Sequence, residues 1–194
     1  MRFCPDLLRQ RMLPALSGNS GRPDLRMAVA ALAYYYSGLI GNALLLSIGR
    51  SHLFGVIRKL PAGSRDLWWS EFLRLASPLI GVVRQTACES SLGGVAIPSG
   101  SVVIAATGSA HRDPAKFQDP DEFRLDRVAP SLLPIILPNS AVDQIASTAA
   151  QAVLEALIQD FHHLRINGTV RFRHPAELSF CPRELPVVAG SLLD

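Results

Sequence analysis

Cysteine is scarce in this chain, and the few that occur show no pattern. Cys4, Cys88 and Cys181 form no C-x-x-C pair and no spacing typical of a metal site. An odd, sparse set also argues against a disulfide-stabilised secreted domain, because such domains depend on several paired cysteines. We therefore expect no metal site and a reducing, cytoplasmic environment.

Charge is limited as well. Only 18% of the residues are charged and the net charge is +3, with the basic residues spread along the chain. A basic block of the kind that binds nucleic acid is therefore missing, and we expect no nucleic-acid partner. The first residues, from Met1 to Asp6, have no apolar core of a signal peptide, which again favours the cytoplasm.

What the chain does have is apolar residues, at 48% of its 194 residues. This length suits one domain with a sizeable core, and no internal repeat divides it. We expect a single domain over residues 1–194.

The longest apolar run extends from Met27 to Gly49 and carries no charge. Its length alone would allow a transmembrane helix. However, Tyr34, Tyr35, Tyr36 and Asn42 make its middle polar, whereas the aromatic residues of a membrane span cluster at its ends. We therefore favour a buried central helix and consider a membrane span unlikely.

Periodicity and chain breakers predict the remaining elements of an α+β, mostly helical fold. Asp113-Pro114 is typical of a helix start, and Asn167-Gly168 of a hairpin between residues 164–166 and 170–172. Helices are predicted from Ser51 to Leu60, from Asp66 to Leu75 and from Ala141 to Leu164. Apolar β-rich runs extend from Ile80 to Ala87 and from Ser101 to Thr107, with turns predicted between them at Gly93-Gly94 and at Pro98-Ser99-Gly100. A last strand is predicted from Ala176 to Cys181. The apolar side of the last helix is predicted to comprise Ile145, Val153, Leu154, Leu157, Ile158 and Phe161.

One ordered set of motifs stands out. Glu71 and Arg74 lie three residues apart, so a helix places them on one face, either as a surface ion pair or as part of a buried network. H-R-D-P follows at residues 111–114, and F-x-D-P-D-E-F-x-x-D-R at residues 117–127. This order, with β-rich runs between, resembles the C-terminal half of the cytochrome P-450 (P450) superfamily of heme-thiolate monooxygenases.

The resemblance implies a C-terminal half of a P450-like fold with part of its supporting network retained. Glu71, Arg74 and Arg127 match the family's buried structural triad. Arg84 lies where the family places an arginine that binds a heme propionate, although a solvent-facing strand residue is an equal reading.

The same resemblance implies that the heme ligand is lost. The family's F-x-x-G-x-x-x-C-x-G loop falls on residues 133–140, which contain neither Gly nor Cys, and Ser140 stands near the thiolate position. A serine hydroxyl is a poor iron ligand, and Ser140 with Asp143 has the spacing of a helix capping box. We interpret Cys181 as a small buried residue rather than a relocated ligand. We therefore expect no heme cofactor, although the family binds heme.

The family's proton relay is altered too. Its A-G-x-x-T motif falls on residues 31–35, so that Tyr34 and Tyr35 occupy the acid and alcohol positions. Phenols with a pKa near 10 are weak proton donors for this step, and packing or partner contact is the favoured role. We expect no catalytic residues.

The leading hypothesis is a catalytically silent P450-like protein that acts as an auxiliary or interaction partner in a biosynthetic pathway. Heme-free members of this family that assist glycosyltransferases suggest one kind of partner. A protein partner or a second copy would bind through the helix from Met27 to Gly49. The alternatives are a heme or non-heme oxidoreductase with a remodelled site, for which His162 and His163 are a poor ligand pair as helix neighbours, and a gene remnant without function.

Overall fold

The computed structural model describes residues 25–61, 64–127, 141–173 and 178–191. The helices in these ranges are α1 (Leu25–Gly49), α2 (Leu53–Arg58), α3 (Arg65–Leu75), α4 (Thr107–Ala110) and α5 (Ala141–Asp160). The strands are β1 (Val82–Gln85), β2 (Ser90–Leu92), β3 (Val95–Ile97), β4 (Val102–Ala105), β5 (Phe161–Ile166), β6 (Arg171–Phe172), β7 (Pro182–Glu184) and β8 (Val187–Ser191). The fold is α+β and mostly helical, as predicted, and the predicted helices before and within the E-x-x-R stretch are found within a few residues of their expected bounds.

The hydrophobic core lies where α1 packs against α3 and α5. On α5, Ala150, Leu154 and Ile158 recur every four residues and form the buried stripe. Two residues of the predicted apolar side are therefore misplaced, because Ile145 is 70% exposed and Val153 is also exposed.

Helix α1 is a core helix, but it is not buried on all sides. Leu32, Tyr35, Leu39 and Ala43 are almost completely buried, whereas Val29 is 48% exposed. Residues 29–49 are long and apolar enough to cross a membrane by length and composition alone. The burial of one stripe is the pattern of a core helix that packs against its neighbours on one side.

Residues 82–105 form two antiparallel strand pairs, which together we call the arm. In it β1 pairs with β4 and β2 pairs with β3, both antiparallel. Gly93, Gly94 and Gly100 have positive φ angles of 57°, 81° and 80°, so the predicted turns at these glycines use conformations that other residues rarely adopt. Each residue of the arm is exposed or only half-buried.

Pairing of the C-terminal strands differs from the sequence prediction. Helix α5 ends at Asp160, and the next six residues form β5, which pairs with β8 rather than with β6. The predicted hairpin at Asn167-Gly168 is therefore wrong, and β6 pairs with β7 instead. Val187 and Val188 offer β5 a β-branched partner strand, and this long-range pairing outweighs the local turn signal. Of the predicted last strand, residues 176–177 lie outside the described residues, and Ser179 makes only a bridge to Leu79.

The predicted helix start at Asp113-Pro114 is also wrong, since a turn follows instead. The Asp113 carboxylate accepts a hydrogen bond from the Ala115 N–H (2.9 Å), and its carbonyl accepts one from the Phe117 N–H (2.8 Å). The bond to the Asp113 side chain satisfies the Ala115 N–H without requiring that a helix follow. The chain then cannot continue helically, because Asp119 has a φ of 49° and Pro120 follows.

Candidate functional site

The Glu71 carboxylate and the Arg74 guanidinium form a fully buried pair on α3. Arg74 Nε lies 2.8 Å from Oε1 of Glu71, and Arg74 Nη2 lies 2.9 Å from Oε2. The one-turn spacing of the two residues on a helix brings these groups into a bidentate geometry, which is the strongest form of this contact. The surface ion pair that the sequence also allowed is therefore not what forms.

Arg127 approaches the same carboxylate from the segment formed by residues 111–127. Its Nε lies 3.3 Å from Oε1 of Glu71, an ion pair without a hydrogen bond at that nitrogen. Its terminal nitrogens donate to the carbonyls of Gln118 (2.6 Å) and Asp119 (2.8 Å). The structure thus brings the three predicted triad residues together.

The triad also clamps the 111–127 segment to α3 through main-chain groups. The Arg74 guanidinium donates to the carbonyls of His111 (2.9 Å), Pro120 (2.6 Å) and Glu122 (3.0 Å). The Arg124 N–H donates to Oε2 of Glu71 at 3.0 Å. Because the carboxylate and the guanidinium are occupied in this way, the arrangement supports the fold and has no free group for acid–base chemistry.

His111, beside this network, is a site that sequence reasoning missed. Its imidazole is only 3% exposed, and neither ring nitrogen makes a hydrogen bond. Burial, then the Arg74 and Arg112 charges, lower the pKa of His111 below its usual value, and the backbone of Arg74 opposes this weakly. The sequence offered only the H-R-D-P motif, which does not reveal the burial of its first residue.

Arg84, the predicted propionate-binding residue, lies on β1 and is exposed. Its guanidinium donates to the carbonyl of the neighbouring Val83 at 2.9 Å, and its cross-strand partner is Val103. The structure does not bring Arg84 to the Glu71 network. Its role toward a propionate stays a prediction.

On α1, the residues at the relay positions are held by protein contacts. The Tyr34 hydroxyl lies 2.8 Å from Ser179 Oγ, and the Arg173 guanidinium stands over the Tyr34 ring at 4.1 Å from its centroid. Tyr35 is fully buried and packs edge-on against Tyr36. Ser179 and Arg173 were not predicted, because their approach to α1 depends on contacts between residues far apart in the chain.

Of the positions that the resemblance places next to a heme, the structure describes those of Leu32 and Tyr35. Leu32 and Tyr35, at the positions that match the family's Gly and Thr, are buried among the side chains of the core. Ser140 and Cys4 lie outside the described residues. Of the described cysteines, Cys88 is exposed next to the arm's β2 strand, and Cys181 is buried, with its Sγ 2.9 Å from where a Cβ on Gly38 would stand.

A metal site is not found elsewhere in the described part of the chain either. No three described His, Cys, Asp or Glu side chains are grouped so that they could hold a metal ion. His162 and His163 lie in strand β5 and not at the end of a helix, because α5 stops at Asp160. His163 itself is exposed.

Comparison with known proteins gives the chain's relatives. Residues 68–131 match the family described as Cytochrome P450. Beta-dihydromenaquinone-9 omega-hydroxylase of Mycobacterium tuberculosis (strain ATCC 25618 / H37Rv) is 34% identical over 101 residues, which are 50% of this chain and 20% of that protein. 6-deoxyerythronolide B hydroxylase of Saccharopolyspora erythraea is 36% identical over 89 residues, 46% of this chain and 22% of that protein. The chain thus spans about a fifth of the length of these two relatives.

Solved structures extend the likeness to most of the chain. A cytochrome P450 from Chondromyces apiculatus aligns with a TM-score of 0.65 and 27% identity, covering 80% of this chain and 41% of that one. P450 MoxA from Nonomuraea recticatena aligns with a TM-score of 0.68 and 26% identity, covering 79% and 39%. The order of elements, the Glu71 network and these matches together make the described structure a partial cytochrome P450 fold, of the kind expected for that family's C-terminal half.

Proposed function

We propose that this chain is a catalytically silent P450-like protein of the cytoplasm that acts as an auxiliary or interaction partner in a biosynthetic pathway. Its support comes from three features: the paired Glu71–Arg74–Arg127 network, the lack of cysteine in residues 133–140, and exposed apolar side chains in the described residues. The biosynthetic context is supported by relatives such as 6-deoxyerythronolide B hydroxylase, whose name describes the modification of one particular compound.

The observation that carries the proposal is the burial of Leu32 and Tyr35 in the core. In the family that the chain resembles, the matching positions are a Gly and a Thr next to the heme. A leucine and a tyrosine there are far larger, and both side chains pack among residues of α5 such as Leu154. Together with the serine at position 140, this packing argues against a monooxygenase site.

Exposed apolar side chains support a role in protein contact. On the arm, Leu92 and Val102 are both 71% exposed, and Val95 and Ile104 are also exposed. On α1, Val29 is 48% exposed as well. Contiguous apolar patches on soluble proteins mark interaction sites, and a ribbon of only two strands is marginally stable in water without cover. A protein partner or a second copy would supply that cover.

Absorption spectra after heme supplementation test the silent-enzyme half of the proposal. The wild-type protein should show no Soret band at the thiolate–carbon monoxide position, because residues 133–140 contain no cysteine and the large Leu32 and Tyr35 side chains are packed in the core. S140C should also show no such band, because Leu32 and Tyr35 remain. The triple variant L32G/Y35T/S140C supplies a cysteine and removes both large side chains. A thiolate spectrum from the wild-type protein would overturn the proposal.

Association measurements test the partner half. Sedimentation of the purified protein across a wide concentration range, alone and with the proteins encoded beside it, should reveal a dimer or a complex. A protein that stays monomeric throughout and binds none of those neighbours would contradict an interaction role.

A further inference from the structure

The His111 side chain is a buried titratable group that the Glu71 network does not use. Both ring nitrogens are enclosed without a hydrogen-bond partner, although a neutral imidazole normally places one donor and one acceptor. Leaving such atoms unpaired costs stability, and each unpaired group of this kind calls for an explanation. In the network described above, the backbone carbonyl of His111 accepts a hydrogen bond from Arg74, whereas no group of the network forms a hydrogen bond with the ring nitrogens.

The charged groups around the ring are cations. The charge of Arg74, on α3, and the charge of Arg112, the next residue in the chain, both act on the ring. Arg112 is held in place by the Leu75 carbonyl (3.0 Å) and by the Asp121 carboxylate (3.2 Å). The Glu71 carboxylate already binds Arg74, Arg127 and the Arg124 N–H, so it has little capacity left to stabilise a third cation. A proton on His111 would therefore be opposed by two cations and favoured only weakly, by the backbone of Arg74.

The same two arginines hold the 111–127 segment on α3. Arg74 binds three of its carbonyls, and Arg112 ties its beginning to the end of α3. Beneath the segment, the Phe123 ring packs on Phe72 with centroids 4.9 Å apart. A positive charge that repels Arg74 and Arg112 acts on the contacts that keep this segment closed.

We propose that His111 is an acid-sensitive latch, whose protonation releases the 111–127 segment from α3 and uncovers the Phe72 face. When the His111 ring is neutral, the closed state of the segment is favoured. When the ring is protonated, the open state is favoured, because water then solvates the charge. This inference concerns the retained network and does not depend on the proposed partner role.

The sign of the pH dependence follows from the lowered pKa of His111 in the closed state. The open segment binds more protons than the closed one whenever the pH is below the ordinary histidine pKa of about 6.5. The closed state is therefore fully favoured above that pH. Below it, the ratio of closed to open molecules falls by up to tenfold per pH unit, until the pKa of the closed state is reached.

Hydrogen exchange measured by mass spectrometry on the full chain from pH 8 to pH 5 tests the latch. After correction for the intrinsic pH dependence of exchange, protection of residues 111–127 in the wild-type protein should fall as the pH is lowered from about 6.5 toward 5, by at most about tenfold per pH unit. H111N cannot be protonated and should keep a constant protection over this range. H52N replaces an exposed histidine and should behave as the wild-type protein does.

Two outcomes would overturn the inference. One is equal pH dependence of protection in the wild-type protein and in H111N. The other is an NMR titration of the wild-type His111 ring with an ordinary pKa while the segment stays protected, a result that needs no variant and so does not depend on H111N folding.

Discussion

The Glu71 network and the arm lie next to each other in the chain, yet they differ in which side chains they bury and which they expose to solvent. In the network, Glu71 and Arg74 are completely buried and their charged atoms are bound by Arg127 and by the 111–127 segment. In the arm, apolar side chains such as Leu92 and Val102 face solvent. The charges of the first region are paired within the chain, whereas apolar side chains of the second are exposed to solvent. Stability should therefore depend on the network, and association on the arm.

The largest effect in this comparison should come from removing the buried charge. E71Q leaves Arg74 and Arg127 without a counterion and should lower the free energy of unfolding by about 3–5 kcal/mol. Urea unfolding measures the change. The matched control is E184Q, whose partner Arg171 is 3.6 Å away on the surface, and it should cost about 1 kcal/mol or less. Equal losses in the two variants would show that burial does not set the difference.

A glycine pair tests whether the core beside the network is tightly packed. In α1, a Cβ on Gly38 would stand 2.9 Å from Cys181 Sγ and 3.0 Å from Pro78 Cβ, so G38A should destabilise the protein by about 1–3 kcal/mol. In α2, a Cβ on Gly55 would meet nothing within 4 Å, so G55A should be neutral or stabilise by up to about 1 kcal/mol. Thermal unfolding of both variants decides the sign, and a stabilising G38A would contradict the close packing of Cys181 on α1.

Substitutions in the arm should change the association of the protein rather than its free energy of unfolding. V102K places a charge on an exposed position and should change the free energy of unfolding by no more than about 0.5 kcal/mol while weakening self-association or partner binding. V103K alters the opposite, half-buried face of β4 and serves as the control. Sedimentation and urea unfolding of both are needed. Unchanged association in V102K would remove its face of the arm from the proposed contact surface.

The smallest effect is expected at Arg124, on the exposed rim of the network. A hydrogen bond from Arg124 lowers the pKa of Asp126 to about 2, and R124Q should return it toward 3.8. An Asp with a lowered pKa stabilises the fold above pH 3.8, and this contribution is lost as the pH falls toward 2. Because the pair is exposed, the unfolding midpoints at neutral pH should coincide. Carboxyl NMR titration gives the result, and an unshifted Asp126 would refute the contact.

Much of the site region could be predicted because its signals are local. The E-x-x-R spacing places two side chains on one helical face, and the bounds of α3 follow from the same periodicity. The arm's glycines have positive φ where turns were predicted. The predictions that failed were those in which a local signal competed with a distant partner, as at Asn167-Gly168 and at the end of α5.

The sequence by itself determined the elements around Glu71, the absence of cysteine in residues 133–140 and the motif order that indicates the family. Tertiary structure alone decided that β5 pairs with β8, that Arg173 covers Tyr34, and that the His111 ring is sealed beside two arginines. The physical reason is the range of the forces involved. Helix spacing and turn conformation depend on residues within a few positions, whereas strand pairing and burial depend on which distant segments meet.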